Sequence, residues 1–463
     1  MPPVPPADPS AALPPPPAPT SGSWRQRAGS AALWIGLGFA FTQAVRLGSS
    51  IVLTRLLAPE MYGLMTLGTV VIAAVVMMSD FGFSQSVIHN ERGDDPDFLN
   101  TIWSMQLLRG AVLCAVMNGV AGALVGLAHT APGWLAGSYA DPRLPGVIAV
   151  LSLVPLAMAL ESTNLARAQR ALALGRVVRN EVVVQLGVTA LMIGLALHWA
   201  AWWVLPVGWL VQAAAIALLS HLTLPGPPNR LRWEPAAART AWHFSKWILL
   251  SSALTYLFRE GDRILLGGLL TPADLGIYAI GALLVNALRE VIYKLAAYVG
   301  MPALAEVSRQ QPQRLAAAYR QCRLPIDALC LLAAGFLFAA ADRVIGLIYD
   351  GRYALAGHVL AVLSLGLVAL RYSVTEQYLI ATGETRQLYK RGLIQNLTLY
   401  TAVPAGFALW GLPGALGGVV LAQASFVPVM LHMQHQRGLL DWRFEFGVLG
   451  LFPLGWLAGW LVR

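Results

Sequence analysis

The chain has 463 residues, of which 57% are hydrophobic and only 12% charged, and its formal net charge is +9. A soluble globular chain carries about 25% charged and 45–50% apolar residues, so this composition excludes an ordinary soluble domain and points to a bilayer protein. The positive balance does not indicate nucleic acid, because the arginines stand between apolar segments instead of gathering on one basic face.

In chain order, residues 1–24 are rich in Pro, Ala and Ser and read as a disordered cytoplasmic tail that cannot form a core. No basic region followed by a short apolar run and a cleavage site occurs there. Apolar segments follow at 29–54, 61–80, 101–128, 144–161, 182–199 and 202–222, then at 244–270, 275–302, 324–348, 355–381, 392–410 and 413–433. A span needs about 20 apolar residues, so these predict 12 transmembrane helices, with 445–462 as a thirteenth candidate. The boundaries divide the chain into the tail 1–24, an N-lobe 25–222, a basic cytoplasmic linker 223–243, a C-lobe 244–433 and an extra hydrophobic segment within 434–463.

With the N-terminus inside, the cytoplasmic segments hold 20 Lys and Arg residues, while the outer loops hold four, Arg55, Arg143, Arg343 and Arg352. Basic residues favour the cytoplasmic side, which predicts this orientation. The three cysteines, Cys114, Cys322 and Cys330, have neither disulfide nor metal spacing. No Walker, zinc or nucleophile-elbow motif is present, so no metal, cofactor or catalytic residue is expected.

Residues 34–68 align without a gap to residues 247–281, with 14 identities in 35 positions. The pairs include Trp34/Trp247, Arg46/Arg259, Leu57/Leu270, Pro59/Pro272, Gly63/Gly276 and Gly68/Gly281. Shared Trp, Arg, Pro and Gly in register are not produced by apolar composition alone, and self-similarity of this kind decides an architecture. Six predicted helices separate the copies, so both enter the membrane in the same direction. The expected fold is all-α and polytopic, with two parallel-repeat six-helix lobes around a central cavity, moving by rocking one lobe against the other.

The same residues carry a family likeness. Val52-Leu53-Thr54-Arg55-Leu56-Leu57-Ala58-Pro59-Glu60-Met61-Tyr62-Gly63 resembles the end of the first helix in Wzx-type flippases, the polysaccharide transporter family of the MOP superfamily. Asp80-Phe81-Gly82-Phe83-Ser84-Gln85-Ser86-Val87-Ile88 with Asn100-Thr101-Ile102-Trp103 is similar to their second inner loop. Asp262-Arg263-Ile264-Leu265-Leu266-Gly267 and Leu275-Gly276-Ile277-Tyr278 resemble the seventh and eighth helices, and Ile380-Ala381-Thr382-Gly383 the turn after the tenth. The colanic-acid-type exporter branch is nearest. The resemblance implies a MATE-like two-lobed fold in a bacterial inner membrane that moves undecaprenyl-pyrophosphate-linked glycans outward. It also implies as partners the lipid-linked glycan, membrane lipids, and a polysaccharide polymerase with its export machinery.

Intramembrane charges sharpen this expectation. A charge at the centre of a span costs about 2.5–3.5 kcal/mol on insertion scales and usually faces a wet or protein interior. The cations Arg46, Arg109, Arg259, Arg263, Arg289, Lys294 and Arg371 are the expected substrate-binding set, because guanidinium forks bind phosphate oxygens bidentately. The carboxylates Glu260, Asp262, Glu290 and Glu376 are candidates for a coupling ion. Blander readings stand beside these. Arg109 and Arg263 could snorkel, Glu290 and Lys294 at i,i+4 could neutralise each other, and Arg259 with Asp262 or Arg263 with Glu260 could be packing pairs. A lipid II flippase and a cation-coupled multidrug exporter of the same fold remain open; the excess of Arg counts against the second.

Overall fold

The structure is a computed structural model and describes residues 41–77, 92–171, 173–235 and 255–462, with the single positions 38, 79, 83, 87 and 88. The predicted tail 1–24, the start of the first helix and most of the second inner loop lie outside these residues, as does the end of the linker with the start of the seventh helix. Most of the described residues are helical, with no strand among them.

The membrane helices are α1 (residues 41–56), α2 (Pro59–Met77), α3 (Pro96–Thr130), α4 (Leu144–Ala159), α5 (Gly175–His198) and α6 (Val204–Thr223) in the N-lobe. In the C-lobe they are α7 (Gly261–Leu269, preceded by a helical turn at 255–259), α8 (Pro272–Leu295), α9 (Leu315–Ile348) and α10 (Leu355–Ala381). They end with α11 (386–409), α12 (412–436) and α13 (Trp442–Val462). Nine stretches of the described residues are long and apolar enough to cross a bilayer, or ten counting α4, which bends by 59° into a short helix at Asn164–Arg170. One of the nine, Arg386–Gln436, contains both α11 and α12. The chain reverses there at Gly411, φ +63°, and a Cβ on Gly418 would stand 2.6 Å from the Ala402 carbonyl oxygen, so the two helices run back along each other.

Helix starts follow from local chemistry. Asp95 accepts from the Asp97 amide with Pro96 in the first turn of α3, and Thr271 accepts from the Asp274 amide with Pro272 in the first turn of α8. Both satisfy amides that the helix itself leaves unpaired, at positions where proline costs no hydrogen bond.

The repeat is visible in the packing. Gly68 of α2 lies against Val147 and Leu151 of α4, and its mate Gly281 of α8 lies against Ala356 and Val359 of α10. The N-terminal ends of α2 and α8 meet directly, Pro59 and Gly63 against Pro272 and Gly276. Further along, the Tyr256 hydroxyl donates to the Val70 carbonyl at 3.1 Å. The two lobes therefore touch through equivalent helices, as a parallel repeat about an axis along the membrane normal requires.

The segment 445–462, open in the sequence reading, forms most of α13. It packs along α9 through small residues: Gly455 and Gly459 face the backbone of Leu332 and Phe336, and Gly335 faces that of Phe452. Close backbone approach of this kind drives helix association where lipid is as apolar as the side chains.

Candidate functional site

A cavity of about 1070 Å³ lies in the C-lobe, walled by α7, α8, α10, α11 and α12. It runs from Asp262 and Tyr278 toward the end where α8 finishes and α11 begins, marked by Lys294 and Arg386. Its volume is at the top of the roughly 300–1,000 Å³ range of drug-sized ligand pockets. On α8 the lining residues Tyr278, Ala282, Asn286, Arg289 and Tyr293 recur at helical spacing and form one polar stripe.

Six cations line it, Arg259, Arg263, Arg289, Lys294, Arg386 and Arg391, against four carboxylates, Glu260, Asp262, Glu290 and Glu376. Six less four leaves a formal excess of +2. Three of the carboxylates are bound by cations: Glu260 by Arg263 at 2.5 Å and more loosely by Arg259 at 3.9 Å, Glu290 by Lys294 at 3.3 Å, and Glu376 by Arg391. Asp262 instead accepts from the Tyr278 hydroxyl, and its other oxygen is buried without a hydrogen-bond partner. Among the described residues Arg289 forms no hydrogen bond or ion pair, while Arg391 also stacks on the Phe426 ring at 4.5 Å. The cavity thus presents a half-buried guanidinium with free donors amid partly neutralised neighbours. Such a guanidinium can take an anionic, oxygen-rich group bidentately.

Of the seven cations singled out in the sequence, four line this cavity: Arg259, Arg263, Arg289 and Lys294. The other three go elsewhere. Arg46 is exposed on α1 and lines none of it. Arg109 reaches the end of α2, donating to the Val76 carbonyl and the Ser79 hydroxyl at 3.1 Å each, and so ties α3 to that helix terminus. Arg371 is 6% exposed and turned away, with its guanidinium on Glu445 of α13 at 2.7 Å and on the Tyr372 hydroxyl. Glu445 also binds Arg323 of α9, which in turn binds Asp327 at 2.9 Å. This buried cluster of two arginines and two carboxylates has no net formal charge, and its members are at most 6% exposed.

The pairings Arg263–Glu260 and Lys294–Glu290 are those the packing interpretation anticipated. By the apolar boundaries Arg386 and Arg391 fall between the segments 355–381 and 392–410, outside the predicted spans. α11 begins before its apolar stretch, so Arg391, Gln395 and Leu399 follow one helical face into the cavity. That i,i+4 spacing was the available signal. Arg323 was missed for the same reason, because α9 begins at Leu315 and not at 324. Among the described residues no group of three His, Cys, Asp or Glu could hold a metal ion.

Residues 52–358 match the model of a family described as polysaccharide biosynthesis protein. The fold is similar to that of a lipid II flippase, MurJ, in an inward closed conformation, with a TM-score of 0.71 and 10% identity over 92% of this chain and 98% of that one. It is also similar to an inward-facing multidrug resistance MATE family transporter of the MOP superfamily, with a TM-score of 0.67 and 13% identity over 88% and 98%. A eukaryotic MATE transporter matches with a TM-score of 0.58 and 12% identity over 94% and 99%. No curated protein sequence matches the chain significantly.

Proposed function

Since the chain belongs to the polysaccharide biosynthesis protein family, we propose that it flips undecaprenyl-pyrophosphate-linked oligosaccharide across the bacterial inner membrane, N-terminus inside, by rocking its two lobes. The observation that carries this reading is Arg289, a cavity-lining cation inside an apolar bundle that forms no ion pair or hydrogen bond among the described residues, with the Asp262 carboxylate near enough to act on it but not bound to it. Holding a guanidinium there with its donors unused is costly, and a pyrophosphate headgroup would engage them with several oxygens at once. Arg259, Arg263 and Lys294 supply further positive charge around it, and Arg46, the repeat mate of Arg259, is the counterpart on the N-lobe. The prenyl chain stays in lipid while the glycan occupies the cavity.

The orientation rests on the 20 inner against four outer basic residues. It makes the Pro59/Pro272 contact the outer end and directs the cavity toward the cytoplasm. A cavity directed to that side is where a cytoplasmic lipid-linked product would load. The test is transport by the purified chain in proteoliposomes, offered a short prenyl-pyrophosphate oligosaccharide, lipid II or a lipophilic cation. The expected result is translocation of the oligosaccharide carrier. Translocation of the lipophilic cation alone overturns the reading, and a preference for lipid II moves the assignment to peptidoglycan precursor.

A further inference from the structure

Gly137-Ser138-Tyr139-Ala140 and Gly351-Arg352-Tyr353-Ala354 are a second pair of like segments, 214 residues apart and beyond the reach of the 213-residue alignment. Each follows the third helix of its lobe, and each folds as a 3₁₀ turn. Each then reaches into the other lobe. From the N-lobe, the Ser138 hydroxyl donates to the Leu270 carbonyl at 2.8 Å and the Tyr139 hydroxyl to the Ile264 carbonyl at 3.1 Å. From the C-lobe, the Arg352 guanidinium donates to the Thr54 and Arg55 carbonyls at 2.9 Å each, and the Tyr353 hydroxyl to the Leu57 carbonyl at 3.5 Å.

Leu57 and Leu270 are repeat mates, so the same backbone position of each lobe accepts a hydrogen bond from the other lobe's turn. The Thr54, Arg55, Leu57 and Leu270 carbonyls belong to the last turns of α1 and α7 or the residues just beyond, where a helix leaves its acceptors without internal partners and donors are favoured, while Ile264 lies a turn earlier in α7. Ser138 and Tyr353 are fully buried, so water does not replace them while the contact holds. The two arms differ in charge. Asp350 grips Arg352 at 2.6 and 3.0 Å and aims it, whereas Ser138 acts as a neutral hydroxyl.

We propose that the two turns form a reciprocal latch that holds the lobes shut at this end, with the Arg352–Asp350 arm setting its strength. Neither turn can leave without uncovering carbonyls of the opposite lobe, so the two release together and give the lobe movement an all-or-none character. The proposal rests on the lobes rocking, and not on the identity of the cargo.

The test is a distance measurement on the full chain in lipid nanodiscs without any glycan. Spin labels replace Trp134 and Leu347, both highly exposed near this end on opposite lobes, in a background with the three native cysteines substituted. The parent should give one short-distance population. Arg352→Ala should raise the ratio of long to short distances by about tenfold, the scale of a lost charge-assisted hydrogen bond, and Ser138→Ala by less. Arg352→Lys and Asp350→Asn, which keep the bulk of the turn, should fall between. Distance distributions unchanged in Arg352→Ala and in Asp350→Asn would overturn the latch. So would an Arg352→Ala, Ser138→Ala double variant that stays closed.

Discussion

Gly63 and Gly276 clasp each other where the lobes meet. A Cβ on Gly63 would overlap the Pro272 carbonyl oxygen and stand 3.1 Å from the Gly276 nitrogen; one on Gly276 would overlap the Pro59 carbonyl oxygen and stand 3.1 Å from the Gly63 nitrogen. The reciprocity is what a twofold axis between repeat mates produces. The overlapping atoms are backbone, so no side chain can rotate away to make room. Gly63→Ala and Gly276→Ala should each part the lobes at this end. A cysteine placed at Ser138, which is fully buried, should then react several-fold faster with a membrane-impermeant maleimide. Unchanged reactivity in both variants would mean that the contact yields without lobe movement.

The cluster of Arg323, Asp327, Arg371 and Glu445 should behave as the anchor of α13. Removing one member of a buried ion pair leaves an uncompensated charge and costs about 3–5 kcal/mol. Glu445→Ala leaves two arginines against one carboxylate. Its unfolding in detergent should shift by several degrees, whereas Glu376→Ala, at the more accessible cavity pair, should shift it less. Equal shifts would remove the distinction between the buried cluster and the cavity.

Acid should release the latch only at low pH. The Arg352 hydrogen bond holds the Asp350 carboxyl below its usual range, with Arg55 adding to the effect and Glu60 acting on Arg352. Arg352 stays with Asp350 in either state, so the part of the lowering that belongs to the closed state alone is that from Arg55 of the opposite lobe; it stabilises that state above the ordinary carboxyl value of about 3.9 and is lost as pH falls through the depressed one. The interlobe distance should therefore stay constant from pH 7.5 to 5.5 and lengthen only below about 4. Opening between pH 7.5 and 5.5 would assign the latch to other groups.

Topology gives a separate check. Cysteines at Arg232 and Arg314 should label only from the cytoplasmic face, and one at Asp274 only from outside. The reverse pattern would turn the whole assignment over.

The helices and the repeat were legible because apolar length and a shared Trp, Arg, Pro and Gly register survive in one dimension. The site was legible in part. Arg259, Arg263, Arg289 and Lys294 were visible as charges in apolar runs, and α7 and α8 do bring them to one cavity. Arg371 shows where that logic ends. It lies five residues from Glu376, which at 100° per residue puts the two about 140° apart around α10. Glu376 faces the cavity, while Arg371 faces α13, whose position no local pattern reveals. Arg391 and Arg323 were hidden because their helices extend past the apolar stretch that marks a span. The Gly-x-Tyr-Ala turns were hidden by a one-residue change of offset and by carrying only three identities.

The most direct test of the account is the rate at which the reconstituted chain translocates a prenyl-pyrophosphate oligosaccharide when Arg289 is changed. Arg289→Ala should lower the rate by about tenfold or more, since a charged hydrogen-bond partner of a phosphate is worth about 1.5–3 kcal/mol. Arg289→Lys should recover only part of it, because the ammonium keeps the charge and loses the fork. Parent-like transport by a well-folded Arg289→Ala chain would contradict the assignment of this cavity to the headgroup.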